Sequence, residues 1–231
     1  MASYLILGAG RFGRLALQRL ARQDGEAVFW VVDRDSGSLA TARRATGVAA
    51  ASPGRTRPVN LIKQDAIAYL HDHLAGGTWS WLIPTVPVHV AFWYAASSAR
   101  LRQDWEPETV PELVGEGVPV VWPGRHGELL LSRGEHRCPD DCVPGPVCPM
   151  SGKTWEIPLD EQLAGIKLEG YDMMVVASRQ LAPGVGGYPP GELSGLLPRL
   201  AEVPGKALIA TACRCHGVVH GLARRTLGRV A

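Results

Sequence analysis

A chain of 231 residues, 46% of them hydrophobic, is long enough for one large or two small domains and can fill a sizeable core. Its formal net charge is only +2 and its basic residues are scattered, so charge points neither to nucleic acid nor to an anionic membrane as a partner. The start "MASYLILGAG" lacks a basic region and a long apolar stretch, and no run approaches the roughly eighteen apolar residues of a membrane span, which predicts a cytoplasmic protein.

In chain order, "SYLILGAGRFGRLALQRLARQ" reads as an apolar strand, a glycine turn and a helix, with Phe12, Leu15, Ala16 and Leu20 spaced to face a sheet. "AVFWVVDRD" is a strand suited to burial on both faces, ending at Asp33. "SLATARRATG" predicts a short helix closed by Gly47, with a weak strand "VAAAS" and a loop "PGRTRPVN" behind it. "DAIAYLHDHL" has helical spacing, with His71 and His73 on its surface. "WSWLIPTV" is the next strand, and Pro87 opens a helix over "VHVAFWYAASSARLR".

Pro107, Pro111 and Gly115 mark a break before the strand "VPVVW". "GELLLS" and "KLEGYD" then flank a cysteine loop. "MMVVAS" is a strand, "GELSGLLPRLAEV" a helix interrupted by Pro198, "KALIATA" a strand, and a last helix is expected from Val218 to Leu227. "APGVGGYPPGE" is either a phosphate-cradling loop or lid, served by Ser178 and Arg179, or simply a mobile loop. The tryptophans at 79, 81, 93, 105, 122 and 155 read as core.

Gly8, Gly10 and Gly13 form G-x-G-x-x-G between strand and helix, and Asp33 follows at the end of the second strand. In that order Gly8 permits a tight turn, Gly10 admits a pyrophosphate, Gly13 lets helix and strand pack closely, and Asp33 accepts bonds from a ribose diol. NAD is favoured over NADP, although Arg34 could serve a 2′-phosphate, so the cofactor is written NAD(P). The expected fold is α/β and Rossmann-like: a doubly wound, mainly parallel sheet in one domain, 1–231, that the second half extends, with a cysteine-rich insertion at 133–165.

Residues 6–35, "ILGAGRFGRLALQRLARQDGEAVFWVVDRD", resemble the NAD(P)-binding Rossmann family, and in detail the nucleotide-binding domain of potassium-channel and potassium-uptake regulators of the RCK or KTN type. The resemblance implies binding of NAD(H) or a related nucleotide by Gly8, Gly10, Arg11, Phe12, Gly13 and Asp33.

Cys138, Cys142 and Cys148 crowd into "CPDDCVPGPVCP", and Cys213 and Cys215 follow the strand "KALIATA". Five cysteines in two short stretches of a protein kept in a reducing compartment point to metal or redox chemistry rather than disulfides. The spacing C-x3-C-x5-C matches neither the common zinc pairs nor the common ferredoxin runs, so zinc and an iron-sulfur cluster are equal candidates, and unligated thiols or a redox disulfide are a third reading. His136 and His216 are alternative ligands.

His89 is a candidate acid or base, against the competing reading of a structural hydrogen bond at a helix start. The expected function is NAD(H) binding with a cysteine-ligated metal centre beside the nucleotide, either as an oxidoreductase acting on a small-molecule substrate or as a non-catalytic redox-sensing module. A homodimer is left open.

Overall fold

The structure of the protein, a computed structural model, describes residues 1–49, 59–98 and 103–225. The chain divides into two compact units that exchange segments. Unit 1 comprises Met1–Val90, Pro139–Val143 and Ser178–Ser194; unit 2 comprises Ala91–Cys138, Pro144–Ala177 and Gly195–Ala231.

Unit 1 begins with β1 (Ser3–Leu7), α1 (Arg11–Gln23), β2 (Val28–Asp33), α2 (Ser36–Ala49), β3 (Val59–Lys63), α3 (Ala66–His73) and β4 (Trp81–Pro84). The four strands form one sheet in the order β3-β2-β1-β4, every pair parallel. β1 is central, and Leu5, Ile6 and Leu7 are wholly buried, as a strand covered on both faces requires. α1 turns Gly13, Ala16, Leu17, Leu20 and Ala21 to the sheet. Leu17 and Leu20 each contribute about 2 kcal/mol by leaving water. The buried stripe is displaced from the expected one: Phe12 is 52% exposed.

α2 runs through Gly47 to Ala49, and the weak strand expected at 48–52 ends outside the described residues. α3 starts where Asp65 accepts from the backbone N–H groups of Ile67 and Ala68, both at 2.9 Å. Such a cap is worth about 1 kcal/mol.

Unit 2 contains all of α4 (Val90–Ala96) but its first residue, together with β5 (Trp105–Glu108), β6 (Val120–Pro123), β7 (Leu129–Ser132), α5 (Leu159–Ala164) and β8 (Tyr171–Ala177). The chain then returns to unit 1 for β9 (Arg179–Ala182), β10 (Val185–Gly187) and α6 (Pro190–Ser194), and ends in unit 2 with α7 (Leu196–Glu202), β11 (Lys206–Ala212) and β12 (His216–Arg224).

The second half therefore builds its own sheet instead of extending the first: β6-β7-β12-β11-β8, with β5 also on β12. β8 and β11 are parallel and the other pairs antiparallel. Leu208, Ala210 and Ala212 of β11 and Val219 of β12 pack with Leu159 and Leu163 of α5 in its core. The stretch 133–165 is no single insertion, since α5 belongs to this core and 139–143 to unit 1.

Residues 216–224 form a strand where a helix was expected. Gly217 and Gly221 weaken a helix, and a Cβ on Gly221 would stand 2.5 Å from the Glu108 carbonyl of the paired β5, so close strand pairing decides the conformation. Pro107 is tolerated in β5 because that strand lies at an edge. "APGVGGYPPGE" supplies a hairpin, β9–β10, turned by Pro183 and by Gly184 at φ +61°. Tyr188 beyond it exchanges backbone hydrogen bonds with Leu82 of β4, at 2.8 and 3.0 Å. Of the expected core tryptophans, Trp79 and Trp105 are buried, but Trp122 on edge strand β6 is 60% exposed.

His220 is buried in unit 2, its ring stacked on Phe92 with centroids 4.0 Å apart and its Nε2 3.6 Å from a Glu128 oxygen. Burial pushes its pKa down to about 4; Glu128 works to raise it and His126 to lower it further. An unfolded histidine takes its proton near pH 6.5, so between pH 6.5 and 4 the unfolded chain binds more protons, and stability falls as pH drops through that window. The loss from this residue reaches at most about 3 kcal/mol. Urea titrations at pH 7.5 and 4.5 should show wild type losing about 2 to 3 kcal/mol more than His220→Phe, which cannot titrate; equal losses would refute the assignment.

Candidate functional site

The glycine turn of unit 1 leaves β1 at Gly8, whose φ of +111° is open to glycine and strained for other residues. Its N–H donates to the Val32 carbonyl at 2.8 Å, tying the turn to β2. A Cβ on Gly13 would lie 1.9 Å from the Gly8 carbonyl oxygen, so α1 rests directly on the end of β1. In front of Gly10 the space is open, with no atom within 4 Å of an added Cβ. No side chain caps α1 and no acidic residue lies in its first turn, so its N-terminal amides and positive dipole end are left to another acceptor.

Asp33 ends β2 beside this turn. One carboxylate oxygen accepts from Ala9 N–H at 2.7 Å and the other from Asp35 N–H at 2.8 Å. Arg34 turns to Asp65, with Nε 2.7 Å and Nη2 2.6 Å from the same oxygen. Desolvation works to raise the Asp65 carboxyl, but the Ala68 and Ile67 amides and Arg34 outweigh it and hold it below its ordinary value. Arg11 pairs with Asp140 and lies over the Phe12 ring, 5.5 Å from its centroid. Arg19, two turns on, donates to the Asp140 carbonyl at 2.7 Å and to that of Pro183.

A cleft of about 410 Å³ opens beside Phe12 and Ala16 of α1, lined by Ile83 to Pro87 after β4 and by Gly184 to Gly186 of the hairpin. Its one hydroxyl side chain, Thr85, donates to the Leu7 and Gly8 carbonyls at 2.9 and 3.0 Å. His89 is buried at the entry to α4 and does not line the cleft. Thr85, Asp65 and Asp140 were missed from sequence. Asp65 carried a signal, a carboxylate just before a helical run; Thr85 and Asp140 act through contacts with residues distant in the chain.

The thiols divide between the units, and no disulfide joins them. Cys142 belongs to unit 1, where its carbonyl accepts from Gly184 N–H at 3.2 Å and from the Gln180 amide at 2.8 Å. The others belong to unit 2. Cys213 and Cys215 lie in the β11–β12 turn, closed by Cys213 N–H to the His216 carbonyl at 2.9 Å. Burial works to raise the Cys213 thiol, but hydrogen bonds from the His216 side chain and from the N–H groups of Cys215 and His216 hold it below its ordinary value.

Cys148 is treated alike: the Ser151 hydroxyl and the N–H groups of Ser151 and Met150 lower it, and His216 contributes electrostatically. Cys138 Sγ lies 3.9 Å from His216 Nε2 and 4.0 Å from His136 Nε2. The Cys215 thiol interacts electrostatically with the buried guanidinium of Arg133, and the Arg133 backbone N–H donates to the Cys215 carbonyl at 2.9 Å. Among the described residues no three His, Cys, Asp or Glu side chains are gathered closely enough, as placed, to hold a metal ion.

The chain belongs to the family described as "Uncharacterized protein, C-terminal domain", which matches residues 79–225. That span runs from just before β4 to just after β12 and contains every cysteine but not the glycine turn. The chain is also similar to an "Uncharacterized protein" of Archaeoglobus fulgidus, 29% identical over 238 residues that cover 95% of this chain and 99% of the relative. No solved structure matches the chain. Among the described residues no helix is long and apolar enough to cross a membrane.

The contact between Gly13 and Gly8 yields a direct expectation. Gly13→Ala must push α1 off β1 and should cost at least about 3 kcal/mol, the range of a severe packing clash. Urea unfolding checks it, and a cost within about 0.5 kcal/mol, typical of a neutral surface change, would contradict the packing.

Proposed function

We propose that unit 1 binds NAD(H) over the carboxyl edge of the β3-β2-β1-β4 sheet. One observation carries the reading: a glycine turn that leaves the first helical amides uncapped, with open space at Gly10 and the Asp33 carboxylate alongside. A pyrophosphate is the anion that such a helix start accepts, and a carboxylate at the end of the second strand suits a ribose diol. The parallel order 3-2-1-4 is that of a dinucleotide-binding half, and ligands bind where strand order reverses, here between β1 and β4.

The cleft of about 410 Å³ lies at that reversal and is apolar enough for a nicotinamide ring, with Phe12 as one wall. Arg34 is engaged with Asp65, which favours NAD over NADP because the cation suited to a 2′-phosphate already has a partner. The lining also favours a binding or sensing role over hydride transfer. It carries no acid, base or charged side chain, its single hydroxyl is engaged by backbone, and the candidate base His89 is not part of it.

Calorimetry on the full chain tests the proposal. NADH should bind at least about tenfold more tightly than NADPH, a difference of about 1.4 kcal/mol. Gly10→Trp, at a position where no atom lies within 4 Å of an added Cβ, should weaken NADH by at least about tenfold and leave the thermal midpoint unchanged. NADH affinity unaltered in that variant, or no binding by wild type, would overturn it.

A further inference from the structure

Three chain segments of unit 2 converge where β12 begins. β7 pairs with β12 through Ser132 and His216, and the residues after it carry Cys138. Residues 146–155 form a small hairpin, with Cys148 N–H donating to Lys153 O at 2.8 Å, Gly152 N–H to Cys148 O at 2.9 Å and Trp155 N–H to Pro146 O at 2.9 Å. The β11–β12 turn carries Cys213 and His216. It is tied to the segment after the hairpin by the Arg214 side chain, which donates to Trp155 O at 3.1 Å, and by Leu159 N–H, which donates to Arg214 O at 3.0 Å.

Two of these thiols share one local arrangement. Cys148 accepts from the backbone N–H groups two and three residues on, Met150 and Ser151, and Cys213 accepts from those two and three residues on, Cys215 and His216. Paired N–H donors aimed at a sulfur offset the charge of a thiolate, the form in which cysteine ligates metals. Cys213 and His216 are also spaced C-x2-H on a tight turn, within the range of zinc-binding pairs. His216 is the common neighbour: it hydrogen-bonds Cys213, lies 3.9 Å from the Cys138 sulfur and interacts with Cys148.

We propose that Cys138, Cys148, Cys213 and His216 bind one zinc ion. Bond lengths of 2.3 Å to sulfur and 2.0–2.1 Å to nitrogen put neighbouring S and N ligands of a tetrahedral ion about 3.6 Å apart. Cys138 and His216, 3.9 Å apart, exceed that by a few tenths of an ångström, and since no three such side chains among the described residues are gathered closely enough as placed, binding must also draw Cys148 and Cys213 inward. Three thiols give up their protons as the ion binds, leaving the centre with one net negative charge.

The donor set separates zinc from an iron-sulfur cluster. The proposed donors are three thiolates and one imidazole, where the common clusters use four thiolates. Three cysteines and one histidine make a closed structural zinc set. The site is independent of nucleotide binding by unit 1.

The test is metal analysis of the full chain purified without chelator. One zinc per chain is expected. Cys138→Ser, Cys148→Ser, Cys213→Ser and His216→Gln should each weaken zinc at least about tenfold against a competing chelator, about 1.4 kcal/mol or more. Cys142→Ser, Cys215→Ser and His136→Gln should keep full occupancy. Wild type stripped of metal and titrated with cobalt should develop the visible bands of tetrahedral cobalt-thiolate at one equivalent. Should a ligand variant fail to fold, alkylation of wild type with and without zinc still decides: protection of Cys138, Cys148 and Cys213 supports the site, and protection of any other set overturns it. Absence of stoichiometric metal, bound iron with labile sulfide, or loss of zinc on changing Cys142 or Cys215 would also overturn it.

Discussion

The arrangement of unit 1 depends on an absence of side chain. Because a Cβ at Gly13 would lie 1.9 Å from the Gly8 carbonyl, the first turn of α1 sits on the end of β1 at a distance that only glycine permits. That contact fixes where the uncapped amides point and which residues leave the helix on the outer face. Arg11 and Arg19, two turns apart, both reach Asp140, the first by its carboxylate and the second by its carbonyl. A second approach without a Cβ follows from this one. Arg19 also holds the Pro183 carbonyl, and a Cβ on Gly184 would stand 1.7 Å from Asp140 O. The segment 139–143 and the β9–β10 hairpin are thus held to α1 by backbone contacts that side chains would block.

Unit 2 is organised around groups that are costly to bury. Arg133 is 5% exposed; its guanidinium donates to the Ile157 carbonyl and, at 2.7 Å, to Gln162, and stacks on Trp155 at 4.9 Å. Desolvation lowers its pKa, so these acceptors do the work that water would otherwise do. The same principle holds at the thiols. Cys148 is held low first by the Ser151 hydroxyl and Cys213 by the His216 side chain, and N–H donors from their own turns add to each. Arg133 N–H to Cys215 O and the Arg214 contacts join the two regions, so the buried cation and the thiol turns form one network.

What was legible in the sequence follows from how local each determinant is. β1, the glycine turn, α1 and β2 were readable because strand, turn and helix each declare themselves within a few residues, and all were found in place. β12 was not. The stretch from Val218 read as a helix, and the arbiter was a neighbour more than a hundred residues away, Glu108 in β5, which pairs with Gly221. The extent of each sheet was equally hidden. A run such as "KALIATA" announces a buried strand but not its partners, and here it pairs with β8 and β12, neither of them from the first sheet.

The candidate sites divide along the same line. The backbone contacts of Gly8, Gly13 and Asp33 were legible because they are made inside one strand-turn-helix unit and the strand after it. For the cysteines, spacing alone could only gather all five. It could not separate Cys142 from Cys138 four residues earlier, nor Cys215 from Cys213 two residues before it, although the fold gives the members of each pair different surroundings. The hydrogen-bond donors around each sulfur, the Ser151 hydroxyl or the His216 side chain together with nearby amides, are what mark Cys148 and Cys213, rather than the count or crowding of cysteines.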